Sequence, residues 1–201
     1  MIYYPIIKEN NKCFIENNIN SQFENLFPNE YCIINYTSES FSNSPINNIY
    51  SNSPVDELFS ISPITNNIYL SGIFGANNLN KLKEYNITYI INCTKNKLPN
   101  IQNITYMNIP IDDTSSQNIE QYFDSSYNFI ENAVNTNNNI LVHCFAGRSR
   151  SASILIAYFM KKNNWSYDLA YQYLKEKRQI INPNKFFINA LKEYMIRLNI
   201  K

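Results

Sequence analysis

The sequence predicts an α/β fold with a central, mostly parallel sheet flanked by helices. Two observations support this prediction. From Asn67 onward, apolar segments of strand length alternate with amphipathic segments of helical periodicity, which is typical of parallel strands joined by crossover helices. The chain then ends in a cluster of helical segments, of which one is apolar on most of its faces and is expected at the centre of the domain. The 201 residues suffice for one ordinary domain with an appendage.

The first part of the chain has a different composition. Residues 1–60 contain two lysines and seven acidic residues, a net charge of −5, whereas residues 61–201 carry a net charge of +6. The segment Thr37 to Pro63 is dense in Ser, Asn and Pro, which predicts a loop or mobile linker. Before it, Tyr31 to Tyr36 is a candidate short strand. We therefore interpret residues 1–60 as an extension that tethers or caps a domain formed by residues 61–201.

The elements of that domain follow from the apolar pattern. Four buried strands are predicted, over Ile68 to Gly72, Thr88 to Thr94, Ile104 to Ile111 and Asn139 to Cys144. Five helices are predicted, over Ala76 to Asn86, Ile119 to Thr136, Ser151 to Asn163, Trp165 to Arg178 and Phe186 to Ile200. Ser166 is the expected N-cap of the fourth helix, and Pro183 separates the last two.

Charge and hydropathy exclude several classes of protein. A net charge of +1 argues against a strongly basic nucleic-acid binder, so no nucleic-acid partner is expected. The longest apolar run, Ile154 to Met160, is far shorter than the roughly 20 residues that span a bilayer, so no membrane association is expected. The N-terminus lacks the basic start and apolar core of a secretory signal. We expect a cytoplasmic protein, with the nucleus as the alternative compartment.

The cysteines and the single histidine exclude several kinds of metal site and catalytic site. The four cysteines lie far apart without a C-x-x-C pair, which indicates free thiols rather than a zinc site or a disulfide framework. His143 is the only histidine and directly precedes Cys144. Because neighbours in a strand project to opposite faces, this pair cannot form the dyad of a cysteine protease. Zinc sites built on three histidines are excluded as well, and no metal or cofactor is expected.

The segment HCFAGRSRS, residues 143–151, joins a buried strand to a helix. Such a turn can direct the backbone N–H groups of residues 145–150 inward, and the helix N-terminus adds positive potential, which together form a cradle for a phosphate. Gly147 permits a backbone conformation that a side chain would penalise, and Arg150 can offer two parallel donors to phosphate oxygens. Inside this ring of donors the Cys144 thiolate is favoured over the thiol and can act as a nucleophile.

HCFAGRSRS resembles the H-C-x5-R-[ST] signature loop of cysteine-dependent phosphatases, and its A-G-x-S-R-S form resembles the dual-specificity branch. The resemblance covers roughly residues 65–201 and includes, in order, IYLSGIFGANN with ITYIINCT, IPIDDTSSQNIEQYF and INPNKFF. It implies that residues 61–201 form a dual-specificity phosphatase catalytic domain. Its substrates would be phosphoproteins carrying phosphotyrosine, phosphoserine or phosphothreonine.

The resemblance also implies roles for individual residues. Cys144 would attack phosphorus, and Asp113, placed by register with the family in preference to Asp112, would be the general acid and then the general base. Ser151 would donate a hydrogen bond to the departing thiolate, or cap the helix, or do both. The phosphate would be bound by the loop residues Phe145, Ala146, Gly147, Arg148, Ser149 and Arg150.

Supporting roles are considered for four further residues, and a second role for Arg148. His143 is expected to order the loop and tune the thiolate, in preference to transferring a proton directly. Cys93, which ends a strand expected beside the Cys144 strand, is either a redox partner or an ordinary buried thiol. Arg148 and Arg178 would receive a second phosphate or acidic substrate groups, or be solvated surface charges. Asn184, in INPNKFF, is implied as a supporting residue of the site.

Three alternatives remain open at this stage. The first is a catalytically weak phosphoprotein-binding module that uses the same loop. The second is an RNA 5′-triphosphatase, whose relatives usually have Thr and Gly where this chain has Ser151 and Ala152. The third is a phosphoinositide phosphatase, although that branch typically has lysines within its loop. The sequence does not predict the physiological substrate, the oligomeric state or the role of residues 1–60.

Overall fold

The computed structural model describes residues 7–9, 12–14, 59–96 and 101–200. The chain divides into two units, residues 1–50 and 51–201. In the first unit, strands β1 (Ile7–Glu9) and β2 (Lys12–Phe14) pair in antiparallel fashion. The candidate strand Tyr31 to Tyr36 and most of the predicted linker lie outside the described residues.

The second unit contains a five-stranded sheet. Its strands are β3 (Ile61–Pro63), β4 (Ile68–Ser71), β5 (Ile87–Asn92), β6 (Thr105–Asn108) and β7 (Asn139–His143), in the spatial order β3-β4-β7-β5-β6. β4, β7, β5 and β6 run parallel, and β3 pairs antiparallel with β4 at one edge. The predicted mostly parallel sheet and its four predicted strands are confirmed.

The end of the predicted linker is corrected by β3. The composition predicts that the linker extends to Pro63, but residues 61–63 form an edge strand. In it Ile61 pairs with Ser71, and only 5% of the surface of Ile61 is exposed. Three residues are too few to show an apolar alternation, and Pro63 argues against a strand in general. A proline is nevertheless tolerated at a sheet edge, where one side of the strand needs no ladder donor.

Between residues 61 and 200, the described part of the chain contains six helices that accompany the sheet. They are α1 (Ile73–Ala76), α2 (Leu79–Glu84), α3 (Phe123–Asn135), α4 (Arg150–Asn163), α5 (Tyr167–Lys177) and α6 (Lys185–Arg197), with one 3-10 turn at Glu120–Tyr122 before α3. The first predicted helix starts too early, because the Asn78 side chain accepts a hydrogen bond from Lys81 N and caps a new helix there. Ser166 is confirmed as an N-cap, since its Oγ accepts from Leu169 N at 3.3 Å.

Alternate strand residues face two different layers. In β7, Ile140 and Val142 belong to the large apolar cluster that includes residues of α3 to α6, whereas Leu141 packs with Leu82 of α2 on the other face. Every residue from Ser151 to Met160 in α4 is buried, as predicted for the central helix. Within residues 59–96 and 101–200, no helix has both the length and the apolar character needed to cross a membrane.

The parallel strands direct three loops to one edge of the sheet. The loops that follow β5, β6 and β7 begin at Cys93, Ile109 and Cys144, so they lie beside one another at the carboxyl ends of the strands. In open α/β sheets, ligands bind at this edge. The fold therefore positions the candidate loop, 144–149, against the segment that contains Asp112 and Asp113.

Candidate active site

The loop between β7 and α4 has a conformation that requires glycine. Gly147 has φ +67°, and a Cβ there would lie 2.6 Å from the carbonyl carbon and oxygen of Ser71. The loop is also held to α1, because Ile73 N donates to Phe145 O at 2.8 Å. The turn thus packs directly against the end of β4, with no room for a larger residue at its tightest point.

The Cys144 sulfur lies at the base of this loop and is almost fully buried. Ser151 Oγ donates to it at 3.1 Å from the first turn of α4. Burial raises the pKa of the Cys144 thiol, but the Arg150 charge and hydrogen bonds from Ser151 and from Arg148 N–H outweigh burial and hold the pKa below its ordinary value. The surroundings therefore favour a thiolate, the nucleophilic form of cysteine.

Arg150 connects the loop to the segment before the acidic pair. Its guanidinium is buried, and Nη1 donates to Ile111 O at 3.2 Å. This contact joins the first residue of α4 to the segment that carries Asp112 and Asp113. The cation that lowers the thiol pKa is thereby fixed in place.

The two neighbouring aspartates point to different partners. Asp113 Oδ1 accepts hydrogen bonds from Ser149 Oγ at 2.6 Å and from Asn184 Nδ2 at 2.5 Å, so its carboxyl group is held against the loop. Asp112 instead forms an ion pair with Lys95. Because Oδ1 of Asp113 already accepts two hydrogen bonds, Oδ2 is the oxygen left to carry a proton. This geometry supports Asp113, rather than Asp112, as the acid.

Asn184 connects the acid to a helix end. Its Oδ1 accepts from Phe186 N at 2.9 Å and Phe187 N at 3.0 Å, which caps α6, while its Nδ2 binds Asp113. Its own N–H donates to Ser149 Oγ at 3.1 Å. The sequence implied a supporting residue here but not these partners. Lys95 was missed entirely, although its position just beyond the end of β5 places it at the same edge of the sheet.

His143 is fully buried behind the loop. Its Nδ1 lies 3.2 Å from Cys144 O and, because a carbonyl only accepts, Nδ1 carries the hydrogen. Burial lowers the pKa of His143 to about 4; the Cys144 carbonyl opposes this shift and the Arg150 charge adds to it. The other ring nitrogen, Nε2, has no hydrogen-bond partner among the described residues. A neutral ring bonded to the loop backbone supports the ordering role over direct proton transfer.

Cys93 lies where the predicted strand arrangement places it. β5 runs parallel beside β7, Cys93 N donates to His143 O at 2.8 Å, and both Cys93 and Cys144 are free and buried. Burial raises the pKa of Cys93, the neighbouring Cys144 raises it further, and Arg150 opposes both. Cys93 is therefore a neutral thiol near Cys144, and its redox role stays a prediction.

The expectation for Arg178 is corrected by its burial. Only 1% of its surface is exposed, so it is not a solvated surface charge, and its guanidinium donates to the carbonyls of Ala146 and Gly147 behind the loop. It is not on the rim where a second phosphate would bind. Arg148 is exposed as expected, with Nε donating to Ile180 O at 3.2 Å.

The arrangement suits in-line attack on a tetrahedral phosphorus centre. A sulfur whose surroundings favour the thiolate, the backbone N–H groups of Arg148 and Ser151, a buried guanidinium and a carboxyl group converge at one edge of the sheet. Among residues 59–96 and 101–200 there is no cluster of three His, Cys, Asp or Glu side chains that could hold a metal ion.

Comparison with known proteins agrees with this geometry. A family model described as the dual specificity phosphatase, catalytic domain, matches residues 68–197. The chain belongs to this family.

Named relatives and solved structures show the same similarity. The chain is 37% identical over 127 residues to dual specificity protein phosphatase 1 of Arabidopsis thaliana, covering 63% of this chain and 64% of that protein. It is 40% identical over 131 residues to human dual specificity protein phosphatase 7, covering 63% of this chain and 31% of that protein. The crystal structure of DUSP15 is 32% identical with a TM-score of 0.65, covering 69% of this chain and 94% of that structure. The match thus spans less than two thirds of either curated relative.

Proposed function

We propose that this protein is a protein phosphatase that hydrolyses phosphotyrosine, phosphoserine and phosphothreonine through a phosphocysteine intermediate. The observation that carries the proposal is the pairing of a thiolate-favouring Cys144 with an Asp113 carboxyl group bonded to Ser149 of the same loop. A module that only binds phosphate has no need of a nucleophile and an acid held together. The family assignment and the named relatives support the same activity.

In the first step, the Cys144 thiolate attacks phosphorus and an S–P bond forms as the P–O bond to the substrate breaks. Loop N–H groups and the Arg150 guanidinium hold the equatorial oxygens, whose charge they stabilise in the transition state. Asp113 gives the proton at Oδ2 to the departing oxygen, since an alkoxide or phenoxide is a poor leaving group. The products are the free hydroxyl of the substrate and phosphocysteine.

In the second step, water attacks the phosphocysteine and the S–P bond breaks. Asp113, now a carboxylate, takes a proton from the attacking water and returns to its starting state. Ser151 Oγ, which lies 3.1 Å from the sulfur, stabilises the departing thiolate by donating a hydrogen bond. Inorganic phosphate is released and the enzyme is regenerated.

We assign this activity to residues 61–201 and treat residues 1–60 as an extension. The family match, residues 68–197, supports that division. Phosphoproteins are the proposed substrates and the cytoplasm is the proposed compartment, with the nucleus as the alternative.

The activity is tested with p-nitrophenyl phosphate in the presence of a chelator. We expect the wild-type protein to hydrolyse p-nitrophenyl phosphate and to be inhibited by vanadate. Turnover should fall by more than about 10³-fold in Cys144→Ser, because an alcohol at that position is not ionised. Phosphopeptides carrying each of the three phosphorylated residues are then ranked by kcat/KM.

Three outcomes would replace the proposal by one of its alternatives. A wild-type protein that binds phosphopeptides without turnover is a phosphoprotein-binding module. Activity on triphosphate-ended RNA without activity on phosphopeptides identifies an RNA 5′-triphosphatase. Activity restricted to phosphoinositide vesicles identifies a lipid phosphatase.

A further inference from the structure

Arg178 is one of the largest fully buried side chains in the described residues, and the proposed reaction does not use it. It follows α5 directly as the C-cap residue, and its side chain reaches the backbone carbonyls of the 144–149 loop. A buried guanidinium loses much of its hydration, so each of its donors requires a protein acceptor. Its partners therefore indicate what the residue does.

The guanidinium binds two consecutive carbonyl groups of the loop. Nε donates to Gly147 O at 3.0 Å, and Nη2 donates to Ala146 O at 3.2 Å. On its other side, Nη1 donates to Ser62 Oγ at 3.0 Å and to Ser60 Oγ at 3.4 Å. Arg178 thus connects the loop to β3 and to the residue just before that strand.

These two contacts determine which way the loop amides point. In a trans peptide, the C=O and the N–H of the same unit point in opposite directions. The Ala146 carbonyl shares its peptide unit with Gly147 N–H, and the Gly147 carbonyl shares its unit with Arg148 N–H. Carbonyls directed back to Arg178 therefore direct the N–H groups of Gly147 and Arg148 forward, to the phosphate side of the loop.

Two further observations agree with this orientation. The N–H of Arg148 is one of the donors that lower the Cys144 pKa, so it does point toward the sulfur. A Cβ at Gly147 would lie 2.9 Å from Arg178 Nη2 and 2.6 Å from the Ser71 backbone. The loop is consequently packed between the end of β4 and the guanidinium, with little freedom to turn its peptides.

We propose that Arg178 is a positioning residue that sets the anion-binding orientation of the 144–149 loop from behind, without touching substrate. The proposal deepens the proposed function, because it concerns the same phosphate site. An arginine suits the task, since its planar fork reaches two carbonyls and two hydroxyl groups at once, whereas a lysine ammonium is a single point charge. Its positive charge also adds to the potential that an anion meets in the loop.

The proposal is tested by measuring anion binding in the full-length chain. Arg178→Met removes all donors at similar length, Arg178→Lys keeps the charge, and Arg197→Met is the matched control at an arginine that is half exposed on α6. Calorimetric titration with tungstate, a tetrahedral oxyanion, measures the loop without turnover. The pH midpoint of Cys144 alkylation by iodoacetamide, followed by mass spectrometry, measures the thiolate.

We expect Arg178→Met to bind tungstate at least about tenfold more weakly than wild type, because two charge-assisted hydrogen bonds that orient the loop are lost. The alkylation midpoint should move to higher pH, with a smaller shift in Arg178→Lys and none in Arg197→Met. A folded Arg178→Met protein with a lower urea midpoint but wild-type tungstate affinity and alkylation midpoint would show a merely structural role and overturn the proposal.

A second variant covers the case in which Arg178→Met does not fold. Ser62→Ala removes one acceptor that orients the guanidinium, and it should shift both readouts in the same direction by a smaller factor. Unchanged readouts in Ser62→Ala and in Arg178→Lys would then overturn the proposal. If the wild-type protein does not hydrolyse p-nitrophenyl phosphate, only the proposed function is contradicted. The proposal for Arg178 is still tested, because tungstate binding is measured without turnover.

Discussion

At the scale of single residues, the two buried cysteines show how local donors control a thiol. Cys93 and Cys144 follow neighbouring parallel strands, and burial raises the pKa of both. The pKa of Cys144 nevertheless lies below its ordinary value, since it receives hydrogen bonds from Ser151 and from Arg148 N–H in addition to the Arg150 charge. The donors around each sulfur, rather than its burial, therefore favour Cys144 over Cys93 as the proposed nucleophile.

The different contacts of the two aspartates lead to the first prediction. Asp113→Asn should lower kcat about 10²- to 10⁴-fold on phosphotyrosine peptides, because a positioned acid contributes that much to proton transfer. The loss should be smaller on p-nitrophenyl phosphate, whose leaving group needs less protonation. Asp112→Asn, which removes only the exposed pair with Lys95, is the matched control and should stay within a few-fold of wild type. Steady-state kinetics with equal losses in the two variants would contradict the assignment.

The buried histidine leads to a prediction about stability and pH. The pKa of His143 is about 4 in the folded protein and about 6.5 in an unfolded chain, so the unfolded state binds the extra proton between these values. The contribution of neutral His143 to the free energy of unfolding is therefore fully present above pH 6.5 and is lost as the pH falls toward 4. Between pH 7 and pH 4.5 we expect His143 to account for a loss of about 2 kcal/mol.

Urea denaturation at the two pH values measures this effect. His143→Asn keeps a donor for the Cys144 carbonyl but has no group that gains a proton in this pH range. Its free energy of unfolding should therefore fall by about 2 kcal/mol less than that of wild type on acidification. Equal losses in the two proteins would show that His143 titrates normally in the folded state.

At the scale of elements, the N-terminus of α6 combines a helix cap with a contact to the acid. Asn184→Ser keeps a side-chain acceptor for the cap but is too short to reach Asp113, so stability should change by less than about 0.5 kcal/mol while kcat falls several-fold. Asn184→Ala should show the same fall in kcat and an additional loss of about 1 kcal/mol of stability. Urea titration and steady-state kinetics separate the two effects, and wild-type kcat in Asn184→Ser would contradict the positioning role.

The elements that the sequence predicted share a strong local pattern. The apolar run of β7 and the amphipathic repeat of α3 can be recognised in the sequence, because burial on one or both faces leaves a characteristic pattern of apolar residues. β3, the short helix α1 and the start of α2 at Leu79 were missed for the opposite reason. A three-residue edge strand carries no period, and the break at Asn78 depends on a side-chain cap within an otherwise helical pattern.

The residues of the site also differ in how much of their position and role the sequence predicts. Residue types and spacing indicate the chemistry of Cys144 and Arg150, whereas the resemblance to the family implies the roles of Asp113 and Ser151. The structure brings all four together at one edge of the sheet. The burial of Arg178 could not be predicted from the sequence, because its side chain also binds Ser60 and Ser62, more than 110 positions away in the chain. Contacts at that separation leave no local pattern in a single sequence.

At the scale of the whole molecule, the side-chain contacts described for the site come from residues 60–184. A chain that begins at Phe59, after an initiating Met, should therefore keep kcat/KM for p-nitrophenyl phosphate within about twofold of the full chain. Steady-state kinetics on the two proteins measures this. A loss of more than about tenfold would show that residues 1–58 contribute to the site and would overturn their assignment as an appendage.

The central claim is that phosphate passes through Cys144, and trapping that intermediate tests it most directly. Ser151→Ala removes the donor to the departing thiolate, so it should slow the second step more than the first and let phosphocysteine accumulate. The variant is quenched with acid during turnover of p-nitrophenyl phosphate and digested for mass spectrometry. The account predicts one added phosphate on the peptide that contains Cys144, and none when Cys144→Ser is combined with Ser151→Ala. Sustained turnover with no phosphate on that peptide, or with phosphate on another residue, would contradict it.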